Sequence, residues 1–145
     1  MADNEKVGTA LALAREFSES LGTAADTLNA ELGEAEEKLQ ALKLGIEASV
    51  LMGTNDDVQR YLAFKKHGLV WSLVVEGIPL GLTEVEFEVE LVHASRDARV
   101  EAVAYLPELL DRLVTTAEAE LRRVRGATTV LREFNASLSG ATGKR

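Results

Sequence analysis

The sequence predicts a single α+β domain in which two long helices flank a small antiparallel sheet. Apolar residues recur every three or four positions through both ends of the chain, whereas the middle contains a run rich in β-formers and, over residues 84–91, a strict alternation of glutamates and apolar residues. A chain of 145 residues also has the size of one domain. We expect a domain over residues 1–138, made of a helical arm over 1–52, a β-meander over 58–94 and a second helical arm over 96–138. A flexible tail is expected over 139–145.

The first arm carries an apolar stripe whose steps average the 3.6-residue period of an α-helix. Gly22 precedes a capping-box-like stretch over Thr23–Asp26, so a continuous helix and a helix broken near Gly22 both remain open. A rod with such a stripe cannot bury it alone and needs a partner helix, in the same chain or another. The stripe consists of Val7, Ala10, Ala14, Phe17, Leu21, Ala24, Leu28, Leu32, Ala35, Leu39, Leu42, Ile46 and Val50.

The middle of the chain changes to the pattern of a sheet. Residues Gly53–Asp57 all favour turns or caps and predict a loop. Arg60–Lys66 and Leu69–Val75 then predict two strands, joined by a tight turn at His67–Gly68. Together with a third strand ahead of residue 94, they form the predicted antiparallel meander of three strands.

The third predicted strand has the cleanest alternation in the chain, with one apolar face and one acidic face. Its apolar residues are Val85, Phe87, Val89 and Leu91, and its acidic residues, which we call the glutamate ladder, are Glu84, Glu86, Glu88 and Glu90. Like charges on one strand face repel one another. The ladder is therefore either a solvated face with Lys65, Lys66 or Arg60 opposite, or a docking surface for a basic protein. Its four glutamates and Trp71 are the candidate partner-binding residues. Trp71 shares a strand face with Leu69, Leu73 and Val75, so a core anchor is its first interpretation and a partner-facing aromatic is the alternative.

The second arm begins after Ser95, a predicted N-cap, and Pro107 should kink it or start a new helix near Leu106. Its charge is basic where the first arm is acidic, which favours antiparallel packing of the two helices. Two helices make a thin core, so we expect a homodimer or higher oligomer that forms a bundle of four helices. The stripe of this arm is Val103, Leu106, Leu110, Leu113, Ala117, Leu121, Val124, Thr128, Leu131, Phe134/Asn135 and Leu138, and its basic residues are Arg122, Arg123, Arg125 and Arg132.

Several kinds of chemistry are not indicated by the sequence. The chain has no cysteine, which excludes disulfides, thiolate metal sites and a cysteine nucleophile. Its two histidines, His67 and His93, match no metal-binding or catalytic spacing, and the glutamate ladder converges on no common point. No catalytic, cofactor-binding or metal-binding residue is therefore predicted. The net charge of −8 argues against nucleic acid and anionic membranes as partners.

The predicted function is non-enzymatic. We expect a cytoplasmic adaptor or assembly protein that oligomerises through its helices and binds a protein partner. The polar start of the chain shows no secretory signal, and the longest apolar run, Leu69–Val75, is too short to span a bilayer. The helix–hairpin–helix order resembles prefoldin subunits in architecture, which implies a chaperone-like holdase as the alternative. An enzyme that uses the glutamates and a histidine is the third class considered.

Overall fold

The computed structural model describes residues 2–143 and has the predicted α+β architecture, with a long helix at each end and an antiparallel sheet between them. Four strands make the sheet, in the order β1-β2-β3-β4. A short 3₁₀ helix at Leu91–His93 follows the last strand. The other elements are α1 (Ala2–Ala41), β1 (Ala48–Asn55), β2 (Val58–His67), β3 (Val70–Pro79), β4 (Phe87–Glu90), α2 (Arg96–Val103) and α3 (Leu106–Gly143).

The first strand corrects two predictions. The first helical arm ends at Ala41 instead of residue 52, and β1 occupies much of the predicted loop at Gly53–Asp57. Positive φ angles at Lys43 and Gly45 stop the helix. The stripe could not reveal this boundary, because its last steps of four residues, from Leu42 through Ile46 to Val50, fit both the helical period and the strand period of two. The meander therefore has four strands instead of three.

The helix termini match the local sequence signals. α1 runs unbroken through Gly22, so the continuous helix of the two alternatives is the observed one. Ser95 caps α2, and its Oγ accepts a hydrogen bond from the backbone nitrogen of Ala98 at 3.2 Å. α3 begins at Leu106, so Pro107 lies in the first turn, where its missing N–H is not needed.

The core lies on one face of the sheet, which we call the inner face. Leu62 on β2 is paired with Val50 on β1 and Val75 on β3, and all three are buried. Helices cover this face with side chains that are almost completely buried: Leu32 from α1, Ala102 from α2, and Leu109 and Leu113 from α3. We call the sheet with the helix segments that cover it the body.

α1 is also fastened to an open strand edge. β4 pairs only with residues 74–77 of β3, so the earlier part of β3 lacks a neighbour on that side. There the Glu36 carboxylate accepts a hydrogen bond from the Leu73 nitrogen at 2.9 Å, and the Gln40 amide donates one to the Trp71 carbonyl at 2.6 Å. The two side chains, one helical turn apart, thus protect an edge that would otherwise be free to pair with another chain.

Both long helices extend beyond the body. α1 is about 60 Å long at 1.5 Å per residue, and the apolar side chains of its first half, such as Val7 and Phe17, are exposed. The second half of α3 is exposed in the same way. Within residues 2–143, the predicted antiparallel packing is therefore not seen along these outer segments. α3 also continues through Ser139 to Gly143, so the predicted tail is helical up to there, and Lys144 and Arg145 lie outside the described residues.

Candidate functional site

The five candidate partner-binding residues lie in three different places. Glu88 and Glu90 lie on β4 and point to the outer face of the sheet, opposite the core. Glu84 and Glu86 precede β4 in the connection from β3 and are exposed, so the predicted strand is shorter than the alternation suggested. Pairing with β3 begins only where the Glu86 nitrogen donates to the Gly77 carbonyl at 2.7 Å.

Trp71 lies on the inner face and does not join the glutamates. Its ring centroid is 5.8 Å from that of Phe64, with the rings tilted by 32°, and it packs against the buried core cluster. This contact supports its role as a core anchor. Trp71 also lines a cleft with Leu39 and Leu44 beyond the end of α1, so one edge of the indole remains accessible.

The outer face carries a cluster of charged side chains centred on Lys65. Its Nζ lies 2.8 Å from Oε1 of Glu88, 3.6 Å from Oε2 of Glu76 and 3.9 Å from Oε1 of Glu47. Nδ1 of His67 lies 2.5 Å from the other oxygen of Glu88. Glu88 is thus held between a lysine and a histidine, as the solvated-face interpretation of the ladder predicted for Lys65.

The electrostatics of this cluster follow from these contacts. The hydrogen bond to Glu88 raises the pKa of Lys65, and the same bond, aided by the one to His67, lowers the pKa of Glu88. Glu76 behaves in the opposite way, because burial of its carboxylate raises its pKa more strongly than Lys65 lowers it. Glu88 is therefore the cluster's stable anion, whereas the charge of Glu76 is held at a cost in desolvation.

Both histidines approach carboxylates of β4. Besides Glu88, His67 lies near Glu90, with 3.8 Å between Nε2 and Oε1, and Nε2 of His93 lies 3.4 Å from the second oxygen of Glu90. A histidine–carboxylate pair can hold and transfer a proton. The pairs lie on the open sheet face among competing charges, and within residues 2–143 no group of three His, Asp or Glu side chains is suited to hold a metal ion. These contacts link both histidines to the carboxylates of β4 on the outer face.

A second candidate surface is formed by the outer segments of the long helices. On α1, apolar and small residues repeat at the alternating steps of three and four that form a coiled-coil seam. Phe17 in this row is 61% exposed. Leu11 and Leu13 flank the row and are also exposed, which makes the apolar strip wide. We call the row the α1 seam; it consists of Val7, Ala10, Ala14, Phe17, Leu21 and Ala24, and the next residue of the row, Leu28, packs against the core.

α3 carries a seam of the same kind, separate from its buried face. Leu109 and Leu113 pack into the core, whereas their neighbours Leu110 and Val114 are exposed and begin a row that continues to the outer segment. The stripe predicted from the sequence contains both Leu110 and Leu113 and omits Val114. Strict heptad spacing from Leu110 was the signal that could have separated the two rows. The α3 seam is Leu110, Val114, Ala117, Leu121, Val124, Thr128, Leu131 and Asn135.

The outer segments carry opposite charge. Residues 2–24 contain four acidic and two basic side chains, whereas residues 122–143 contain four arginines and one glutamate. Two of the arginines pair within α3: Arg122 with Glu118 and Arg123 with Glu120, each at 2.6 Å. These pairs are exposed, so they add little to stability and leave the arginines able to exchange partners.

Comparison with known proteins gives no family for this chain, since no protein-family model, curated protein or solved structure matches it. Among residues 2–143, no helix has the length and apolar content needed to cross a membrane. The candidate surfaces therefore rest on the geometry and chemistry described above.

Proposed function

We propose that the protein is a non-enzymatic adaptor or assembly protein that self-associates through its two helical arms and presents the acidic connection beside its sheet to a protein partner. The observation that carries this proposal is the pair of exposed apolar seams, one on each outer segment. Large exposed apolar strips bordered by polar residues mark sites of protein interaction. The seams are also spaced for helix packing, which makes another helix the fitting occupant.

The arms are proposed to pack antiparallel in a bundle of four helices formed by two chains. In such a bundle, the acidic outer segment of α1 lies beside the basic outer segment of α3. Each exposed ion pair contributes only about 0–1 kcal/mol, so the charges set the arrangement while the seams supply the affinity.

The partner-binding surface is proposed to be the acidic connection ahead of β4. Glu84 and Glu86 are exposed, and in the described part of the chain neither carboxylate has a charged partner. Glu88, in contrast, is engaged by Lys65 and His67. The two free carboxylates suit a basic protein, because they attract it without breaking an existing ion pair.

Self-association is tested by sedimentation velocity over a range of protein concentrations. We expect an oligomer that dissociates on dilution and that is weakened by Phe17→Glu or Leu121→Glu, since each change places a charge in a seam. Ala12→Glu and Ala119→Glu serve as matched controls, because these exposed alanines lie on the opposite sides of the same helices. A monomer at every concentration, or equal effects of seam and control changes, would refute the proposal.

Partner binding is tested by affinity purification from the native host with quantitative mass spectrometry. A protein recovered with the wild-type chain should be lost with Glu84→Lys/Glu86→Lys. Glu37→Lys is the control, since Glu37 is an exposed glutamate of α1. Retention of every recovered protein by the double variant would show that the acidic connection is not the docking surface.

The alternative is a chaperone-like holdase, and the same exposed seams favour it. A holdase would use them to hold unfolded chains instead of a second copy. It should suppress the aggregation of unrelated unfolded proteins at stoichiometric amounts, and Phe17→Glu should remove that suppression. An adaptor should leave such aggregation unchanged, so this assay decides between the two functions.

A further inference from the structure

We propose that the α3 seam pairs in antiparallel orientation with the α3 seam of a second copy of this chain, in the register that sets Leu121 beside Val124 of the second copy. This pairing rests on the self-association proposed above and names its orientation and register. A second copy is the occupant because the charges beside the seam complement themselves when the helix direction is reversed.

The charges in question form a row that changes sign halfway along the seam. Asp111 and Glu118 lie beside its first half, and Arg125 and Arg132 lie beside its second half, all four exposed. In the proposed register, Glu118 comes near Arg125 of the second copy and Asp111 comes near its Arg132. Two-fold symmetry produces each contact twice. Glu118 must leave Arg122 to do so, which costs little at an exposed site.

A parallel pair would bring like charges together. The basic outer segments, residues 122–143 with four arginines and one glutamate, would lie side by side. The attraction between Glu120 and Arg125 of the second copy would offset only part of this repulsion. Antiparallel pairing instead places each basic half against an acidic half, so charge selects the orientation.

The extent of the exposed seam also fits this register. Leu110 and Val114 lie on the part of α3 that covers the core, yet both are exposed. Reversed pairing brings the outer segment of the second copy over them, with Leu131 beside Val114 and Asn135 beside Leu110. The exposed side chains of Leu110 and Val114 are then covered by a helix whose seam residues repeat at the same spacing.

The area of this contact explains why a second pair of helices is needed. A strip about 38 Å long and about 10 Å wide, from the rise and diameter of a helix, covers about 400 Å² on each copy. A standard stable interface covers about 800 Å² on each partner. The α1 seams are expected to supply the rest of this area.

Disulfide trapping tests the register directly, because the chain has no cysteine of its own. Val114→Cys and Leu131→Cys chains with tags of different length are co-expressed and oxidised. We expect a mixed disulfide between the two chains and little self-linkage of either. Thr116→Cys with Thr129→Cys is the matched control. In the proposed register these exposed threonines lie at the same level along the two paired helices, but on a face away from the seam. Self-linkage of each seam variant would show a parallel pair, and linkage no faster than the control would exclude the seam.

Charge exchange gives an independent measurement. Glu118→Arg should weaken self-association about tenfold, because two attractive contacts per dimer become repulsive. Adding Arg125→Glu to the same chain should restore the affinity to about the wild-type value. Failure of the second change to restore it would overturn the proposed contact. A chain that is monomeric throughout would refute both this pairing and the proposed function, whereas a dimer trapped only in another register would refute the pairing alone.

Discussion

Mutations at two adjacent residues, Leu113 and Val114, can distinguish the face of α3 that packs in the core from the face proposed to pair with a second copy. Leu113 is 1% exposed and packs in the core, whereas Val114 is 58% exposed and belongs to the α3 seam. Leu113→Ala removes three carbon atoms, which is worth about 2.4 kcal/mol at about 0.8 kcal/mol per buried methylene. The cavity left behind raises the expected loss of unfolding free energy to about 2–5 kcal/mol.

Val114→Ala should behave differently. In the monomer it removes exposed methyl groups and should change the unfolding free energy by less than about 0.5 kcal/mol. Its cost should appear only at concentrations where the chain self-associates, since association stabilises the folded state by mass action. Leu113→Ala should instead cost the same at every concentration.

Urea unfolding followed by Trp71 fluorescence measures both effects, because the single tryptophan packs against the core cluster. Each variant is compared with the wild type at a low and a high protein concentration. A loss below about 1 kcal/mol for Leu113→Ala would contradict its placement in the core. An equal and concentration-independent loss for Val114→Ala would contradict the assignment of that residue to an intermolecular seam.

Three further predictions concern the contacts that hold the body together. The Arg60 guanidinium, 19% exposed, makes two 2.9 Å hydrogen bonds to the Glu101 carboxylate, 33% exposed, and a double-mutant cycle with Arg60→Met and Glu101→Gln should give a coupling energy of about 1–2 kcal/mol. Glu88→Gln should lower stability at neutral pH and lose this effect in acid. Because Lys65 lowers the folded pKa of Glu88 below its ordinary 4.5, the wild-type advantage is present above that pH and disappears as the pH falls through the folded pKa. Tyr105→Phe should cost about 1 kcal/mol in thermal or urea unfolding, since it removes a 2.9 Å hydrogen bond to a strand carbonyl of β1.

Local signals in the sequence predicted the parts of the fold that depend on local physics. Ser95 caps a helix and Pro107 stands in a first helical turn, and both effects involve only a few neighbouring residues. The end of α1 was missed because the apolar steps near Val50 fit two periods at once. Only the packing of Val50 against Leu62 distinguishes a strand from a helix there, and that contact depends on the register of another strand.

The sequence predicted the outer-face cluster only in part, for the same reason. Lys65 was among the bases expected opposite the glutamate ladder, and it does contact Glu88. The contact of His67 with Glu88 requires two strand registers to be known together, which no local pattern supplies. The core-anchor interpretation of Trp71, in contrast, needed only the apolar face of its own strand, and Trp71 does pack against the core cluster.

The outer segments connect helix formation with association. A helix in water gains little stability without tertiary packing, and each interior glycine costs about 1 kcal/mol. The outer segment of α1 contains Gly8 and Gly22, and that of α3 contains Gly126 and Gly140, none of which touches another part of the chain in a way that a methyl group would disturb. Nothing in the body compensates these costs, because the apolar side chains of both segments face outward. In the proposed self-association, burial of the seams against another chain supplies the free energy that keeps these segments helical. On this reasoning, self-association and full helix formation in the arms are one coupled equilibrium.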